Sequence, residues 1–231
     1  LRNFVLVIVM IAQSQVGGSL EFRPWIPWDD YEVWVMIELT PRFSAALNLA
    51  LELHHNQRRK GTEIPYMSHP LAVSALVLEY GGDEEEAVAA LLHDAVEDGG
   101  GQPTLERIRE NFGGRVAEIV DGCSDTSGQS CTCGPDWYHH KQSYLSRLQQ
   151  APEPVRLVLG ADKLHNLTAI LHDYRCVGDG LWERFKGGRD GVLWYYSSLS
   201  EMFMRHGPRA IGDELKRNLE SLEREVGVLA L

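Results

Sequence analysis

His93 and Asp94 stand side by side at the end of an apolar helical run, and Glu97 and Asp98 follow within one turn. Imidazole nitrogen and carboxylate oxygen together suit a divalent ion such as Mn²⁺, Fe²⁺, Zn²⁺ or Co²⁺, without selecting among them. Two more residues of these types lie in suggestive settings. His69 precedes Pro70, and Asp162 sits in the run Ala161-Asp162-Lys163-Leu164-His165-Asn166. Two imidazoles and two carboxylates closing around one ion would serve metal-assisted phosphoester hydrolysis. A bound divalent ion lowers the pKa of a water from about 15.7 toward ~7 and stabilises charge on phosphorus oxygens. Glu97 is placed to act as the base.

The spacing carries the argument. Neighbours on a regular helix point about 100° apart, so His93 and Asp94 can grip one ion only near a helix end. Gly99-Gly100-Gly101 supplies that end. Asp94 and Asp98 are i,i+4, as are His93 and Glu97, which puts the second acidic pair one turn above the first. Such crowding on an apolar helix is costly unless a cation or a substrate neutralises it. Asp162 follows Val155, Leu157, Val158 and Leu159 and precedes Leu164 and Leu167, so it lies on or beside a buried face, where a carboxylate needs a partner or a metal. Arg58, Arg59 and Lys60 form a cationic turn that can meet a small anion. The formal net charge of −11 argues against a general nucleic-acid binder.

The elements that must hold these groups read as helices separated by short polar turns. Thr40 is an N-cap with Pro41 at the first helical position, and Phe43, Ala46, Leu47, Ala50 and Leu51 share one face of a helix to about His55. Pro70 starts a helix that stops at Gly81-Gly82, and Asp83 caps the next, with Glu84, Glu85 and Glu86 at its positive end. Its buried stripe is Ala87, Val88, Leu91, Leu92 and Val96. Thr104 caps a helix to Phe112, a short helix covers 114–121, and 122–136 reads as a long loop. Further helices are expected at 137–150, 153–172, 190–206 and 209–226. Strand-like alternation is almost absent, so the expectation is one all-α domain, a single helical bundle.

Residues 1–35 hold three of the six tryptophans and lack this regular texture; they read as an appendage or over-extended start, with Met36 a credible initiator and 36–231 the folded domain. No apolar run reaches the ~18–20 residues needed to cross a bilayer, and the expected setting is cytoplasmic. The four cysteines are too few and too clumped for a disulfide framework, and the Cys131-Thr132-Cys133 pair reads as reduced thiols on a surface loop.

Four blocks in order resemble the RelA/SpoT-type HD hydrolase domain: Arg59-Lys60-Gly61-Thr62 with Pro65-Tyr66-Met67-Ser68-His69-Pro70; Ala89-Ala90-Leu91-Leu92-His93-Asp94-Ala95-Val96-Glu97-Asp98; Phe112-Gly113; and Ala161-Asp162-Lys163-Leu164-His165-Asn166-Leu167. The likeness spans roughly 43–205 and implies an HD-domain bundle. It implies that His69, His93, Asp94 and Asp162 ligate the metal, usually Mn²⁺, and that Glu97 and Asp98 orient and deprotonate the attacking water. Arg59 and Lys60 would meet base and phosphates, and Asn166 the ribose. His54 matches a non-ligand position and is read as structural. The implied reaction is hydrolysis of the 3′-pyrophosphate of (p)ppGpp to GDP or GTP. With 25 residues beyond His206, the resemblance is to small alarmone hydrolases without a synthetase.

The chain departs from the family at several places. Ala169 stands where a base-contacting threonine is frequent, Leu159-Gly160 replaces a common Lys-Leu, and Cys123-Ser124-Asp125 replaces Val-Thr-Lys. The last two are expected close to the purine and phosphate contacts, which makes (p)ppApp a competing substrate. Another HD-type phosphohydrolase and a non-enzymatic nucleotide-binding regulator are the other readings. Among Trp182, Trp194, Tyr195 and Tyr196, Tyr195 is the best candidate for a base-stacking ring. The partner expected is a small anionic nucleotide, with no nucleic acid and no membrane, and the oligomeric state is left open.

Overall fold

In the computed structural model, which describes residues 37–124 and 135–229, Thr40 opens the first helix as its side chain demands. Its hydroxyl accepts from the Arg42 backbone N–H, and Pro41 takes the first helical position of α1 (Pro41–His54). Tyr66-Met67 lead into α2 (Ser68–Glu79), which ends as Gly81 takes φ +88°. Asp83 then caps α3 (Glu84–Leu91) in a full capping box with Glu86. A short α4 (Ala95–Asp98) follows, then α5 (Gln102–Phe112), α6 (Gly114–Cys123) and α7 (Pro135–Gln150). The central α8 (Glu153–Val177), a 3₁₀ turn (Gly178–Arg184), α9 (Gly188–His206) and α10 (Arg209–Glu225) complete the chain. Among the described residues there is no strand, only an isolated bridge between Arg58 and Pro65. The architecture is an all-α bundle.

The N-terminal half of α8 is enclosed: Val155 and the run Leu157, Val158, Leu159, Gly160 and Ala161 are buried, the pattern of a helix segment surrounded by its neighbours. It packs against α2, α3, α6 and α10, while α9 lies between α7 and α10. α10 by contrast buries one stripe, Ile211, Leu215, Leu219 and Leu222. Gly160 allows the close approach at the centre, since a Cβ there would stand 3.1 Å from Phe203 Cε1 and 3.2 Å from Ile211.

Several sequence expectations need correction. α1 is rolled so that Ala46, Leu49, Ala50 and His54 are buried, while Leu51 is 44% exposed; the faces of α3 and α4 set the roll, which the helix's own pattern does not encode. Thr104 does not cap α5. The helix begins at Gln102 after Gly101 (φ +68°), and the Thr104 hydroxyl donates back to the Gly99 carbonyl. α6 runs two residues further than expected, which buries Cys123 inside the bundle instead of on a loop. Cys131 and Cys133, like residues 1–35 and Met36, lie outside the described residues.

Gly82 closes the α2–α3 corner with no room for a side chain. A Cβ there would meet Val77 Cγ1 at 2.5 Å and Leu157 Cδ2 at 2.9 Å. Gly82→Ala is therefore expected to destabilise the domain by about 1–3 kcal/mol, read as a lower denaturation midpoint with unchanged m-value.

Candidate metal centre and substrate cleft

The helix carrying the His-Asp pair does not run through it. α3 ends at Leu91, Leu92 takes φ −112° and ψ 6°, and α4 restarts at Ala95. His93 and Asp94 thus occupy the break itself. This resolves the constraint that adjacent residues on a regular helix diverge by about 100°. The i,i+4 relation between Asp94 and Asp98 survives, with the Asp98 N–H donating to the Asp94 carbonyl at 3.0 Å.

His69, from the first turn of α2, completes a cluster in which one ligand atom from each of His69, His93 and Asp94 lies within 4.8 Å of the others. His93 is buried, and its Nδ1–H donates to the Ala90 carbonyl at 2.8 Å, which leaves Nε2 as the nitrogen able to coordinate an ion. Nε2 sits 3.0 Å from Asp94 Oδ2 yet has no directed hydrogen bond. Two donor atoms converging this closely, one of them buried and unsatisfied, are what ligands of a shared cation look like. The residues present therefore fit a divalent metal ion.

Asp162 borders the cluster from α8. Its Oδ1 is 3.2 Å from His69 Nε2 and accepts from Asn166 Nδ2; its Oδ2 is 2.6 Å from Lys163 Nζ. Arg59 Nη2 donates to Asn166 Oδ1 at 2.7 Å, so the cationic turn is tied to Asp162 through the Asn166 amide. Glu97 and Asp98 are both exposed, on α4. Burial and the Asp94 carboxylate push the Asp98 carboxyl up, against the pull of His54 and His93.

The electrostatics of the cluster are those of carboxylates neutralised by neighbouring cations. Burial works against a charge on His93, but Asp94 and Asp162 outweigh it and lift the ring to about 9. Burial likewise opposes ionised Asp162, yet Lys163 and His69 hold its carboxyl well below the usual range. An entering divalent ion replaces a proton as the neutralising charge.

Two residues to which sequence reasoning gave no role stand directly behind the ligands. The Tyr66 hydroxyl donates to Asp94 Oδ2, and His165 Nδ1 lies 2.8 Å from His69 Nδ1. Burial, with His69 and Arg59 nearby, depresses the His165 ring to about 4, so it faces His69 neutral. A local signal existed only for His165, three residues after Asp162 on α8, a spacing that shares a helix face. Tyr66→Phe is expected to weaken metal binding about 10–100-fold, the usual cost of losing a ligand's outer partner, measurable by titrating the ion into metal-free protein.

A cleft of about 660 Å³ opens beside the cluster. Arg59, Lys60, Lys141, Lys163, Arg184 and Lys186 all line it, against a single acid, Asp173, which pairs with Arg184 at 2.8 Å. Tyr195 and Tyr196 line it too, whereas Trp182 and Trp194 do not; Trp137 and Phe185, from α7 and the end of the 3₁₀ turn, were not foreseen. The Lys141 ammonium sits 4.8 Å above the Tyr195 ring. Of the departures from the family pattern, Ala169 lines this cleft. The other two do not. Gly160 faces Phe203 and Ile211, and Leu159, Cys123 and Ser124 line a separate hollow of about 220 Å³, while Asp125 lies outside the described residues.

The comparisons with known proteins agree with this geometry. Residues 46–193 match the family model described as HD domain. The chain belongs to the HD-domain family. Within it, the chain is related to the RelA/SpoT and MESH1-type hydrolases. It is 36% identical over 186 residues to guanosine-3′,5′-bis(diphosphate) 3′-pyrophosphohydrolase MESH1 of Xenopus tropicalis, covering 79% of this chain and 93% of that protein. It is 33% identical over 175 residues to the chloroplastic RSH1 of Arabidopsis thaliana, covering 70% of this chain but only 19% of that longer protein. Among solved structures, one described as a metazoan ortholog of SpoT that hydrolyzes ppGpp superposes with a TM-score of 0.62 at 26% identity, covering 84% of this chain and all of that one. A Listeria monocytogenes protein superposes with a TM-score of 0.56 at 30% identity, covering 70% of this chain and 99% of that one. No helix among the described residues is long and apolar enough to cross a membrane.

Proposed function

We propose that this chain hydrolyses the 3′-pyrophosphate of (p)ppGpp, releasing pyrophosphate and GDP or GTP. The observation that carries the reading is the convergence of His69, His93 and Asp94, with one ligand atom of each within 4.8 Å of the others, beside a cleft lined by six cations in a chain of net charge −11. Such a cleft suits a compact polyanion, and a phosphoryl group extending from it to the neighbouring cluster would meet the ion. His69, His93, Asp94 and Asp162 would hold the ion, with Mn²⁺ the favoured occupant. When bound, it would polarise the phosphoryl oxygens and ease ionisation of the attacking water.

The remaining work falls to the chain's own side chains. Glu97 takes the proton of the attacking water at a carboxylate oxygen, and Asp98 orients that water beside it. Lys163 and Asn166 fix the Asp162 carboxylate from both sides, so its geometry is set before substrate arrives. Arg59 and Lys60 bind phosphates at the mouth, Asn166 faces the sugar, and Tyr195 offers a ring to the base, its own face polarised by Lys141. Cytoplasmic nucleotide pools would supply the substrate.

One observation favours a second reading. Ala169 lines the cleft where the family often carries a threonine against the base, which loosens the choice of purine toward (p)ppApp. Incubating the purified chain with ppGpp and with ppApp, with and without Mn²⁺, and resolving the products tests both. Pyrophosphate released only with metal is the expected result. Orthophosphate in its place would assign a different HD-type phosphohydrolase, and no turnover of either nucleotide would end the hydrolase reading.

A further inference from the structure

The cationic turn between α1 and α2 belongs to no helix. Arg58 and Pro65 form an isolated bridge at its base, and the Arg59 N–H donates to the Ile64 carbonyl at 2.9 Å. The Thr62 N–H and hydroxyl both donate to the Arg59 carbonyl at 3.0 Å, closing the turn on itself. Gly61, at the tip, takes φ +73°, and Lys60 is exposed. Ordering such a segment costs conformational entropy at every residue, so outside contacts must hold it. One side is anchored, because Arg59 donates to Asn166, which in turn reaches Asp162.

The other side meets Arg184, the last residue of the 3₁₀ turn. A Cβ built on Gly61 would stand 2.9 Å from Arg184 Nε, 3.0 Å from its Cδ and 3.3 Å from its Cζ. The Arg184 side chain thus fills the place that a side chain at 61 would take. Asp173 of α8 holds it there, its Oδ2 accepting from Arg184 Nη1 at 2.8 Å. Both side chains are partly buried, with 23% and 28% of their surface exposed. Asp173 is the single acid in the cleft wall, and its partner's charge is already matched. A planar guanidinium fixed by a carboxylate makes a stiff plate against which backbone can rest.

We propose that Arg184 is a positioning residue: Asp173 fixes its guanidinium, and the guanidinium, lying over Gly61, holds the Arg59–Lys60 turn in the geometry that grips phosphate. The proposal rests on the reading of that turn as the phosphate-binding end of the cleft. Arg184 accordingly acts through the turn and not on the substrate.

Asp173→Ala separates the two roles by sign. Were Arg184 itself a phosphate ligand, removing the acid beside it would free a cation and lower KM. As a clamp it loses its anchor instead, and KM for ppGpp should rise about 5–10-fold, the equivalent of roughly one hydrogen bond. The change should leave kcat within about twofold of wild type, since neither residue belongs to the metal cluster. Arg184→Ala should raise KM by a similar factor, and the double variant should be no worse than either alone, because both changes damage one unit. A lowered or unchanged KM in Asp173→Ala, or a double variant whose loss is the product of the two, would overturn the proposal.

Amide hydrogen exchange reads the clamp without turnover. Exchange at Arg59 and Thr62, whose N–H bonds close the turn, should quicken several-fold in both variants while the amides of α10 keep wild-type rates. Unchanged exchange at the turn in either variant, or equal quickening in α10, sinks the clamp. Should the wild-type chain hydrolyse neither alarmone, the functional reading falls, and the exchange rates still decide whether Arg184 holds the turn.

Discussion

Asp94→Ala is expected to abolish both metal binding and turnover. Asp94 is the carboxylate member of the cluster with His69 and His93, and its Oδ2 is 3.0 Å from His93 Nε2 and 3.8 Å from His69 Nε2. Without it two imidazoles and Asp162 remain, the last already engaged by Lys163 and Asn166, and the loss should exceed the roughly 100-fold that an outer-shell change can cost. Thermal denaturation with and without Mn²⁺ reads the effect independently of substrate. An ion at 100 times its dissociation constant stabilises the native state by about 2.7 kcal/mol, so the wild-type midpoint should rise by several degrees and the variant's should not. A variant midpoint that still rises with Mn²⁺ would place the ion elsewhere.

Glu97→Ala should separate binding from chemistry. Glu97 is exposed on α4 and is not a member of the metal cluster, so the ion should bind the variant as tightly as wild type. Loss of a positioned base costs about 10²–10⁴-fold in rate, and that loss should appear in kcat with KM little changed. An unaltered rate would transfer the base to another group, with Asp98 the first to test.

How much of this was legible in the chain depends on the kind of residue. The caps were. Thr40, Pro41, Asp83 and Glu86 act within their own turn, and the structure repeats them where local chemistry put them. The ligating types were legible too, because two histidines and a carboxylate in apolar settings have few other uses, and the structure brings His69, His93 and Asp94 together. The roll of α1 was not, since Leu49 and Leu51 differ by the neighbours they meet and not by their own character. Tyr66 and His165 escaped for the same reason. Their side chains act on residues 28 and 96 positions away in sequence.

By itself the amino-acid sequence determined that the chain is helical, where most helices begin and stop, and which side chains have the chemistry to hold a metal ion and activate water. These depend on contacts within a few residues and on donor type. Only the tertiary structure decided how His93 and Asp94 converge. The helix breaks at Leu92, a break no local residue demands, because α2, α6 and α8 enclose α3 and direct its end toward His69 and Asp162. Tertiary packing alone also assembled the cationic cleft from five separate segments of an acidic chain, since Coulomb fields depend on distance in space and net charge does not report it.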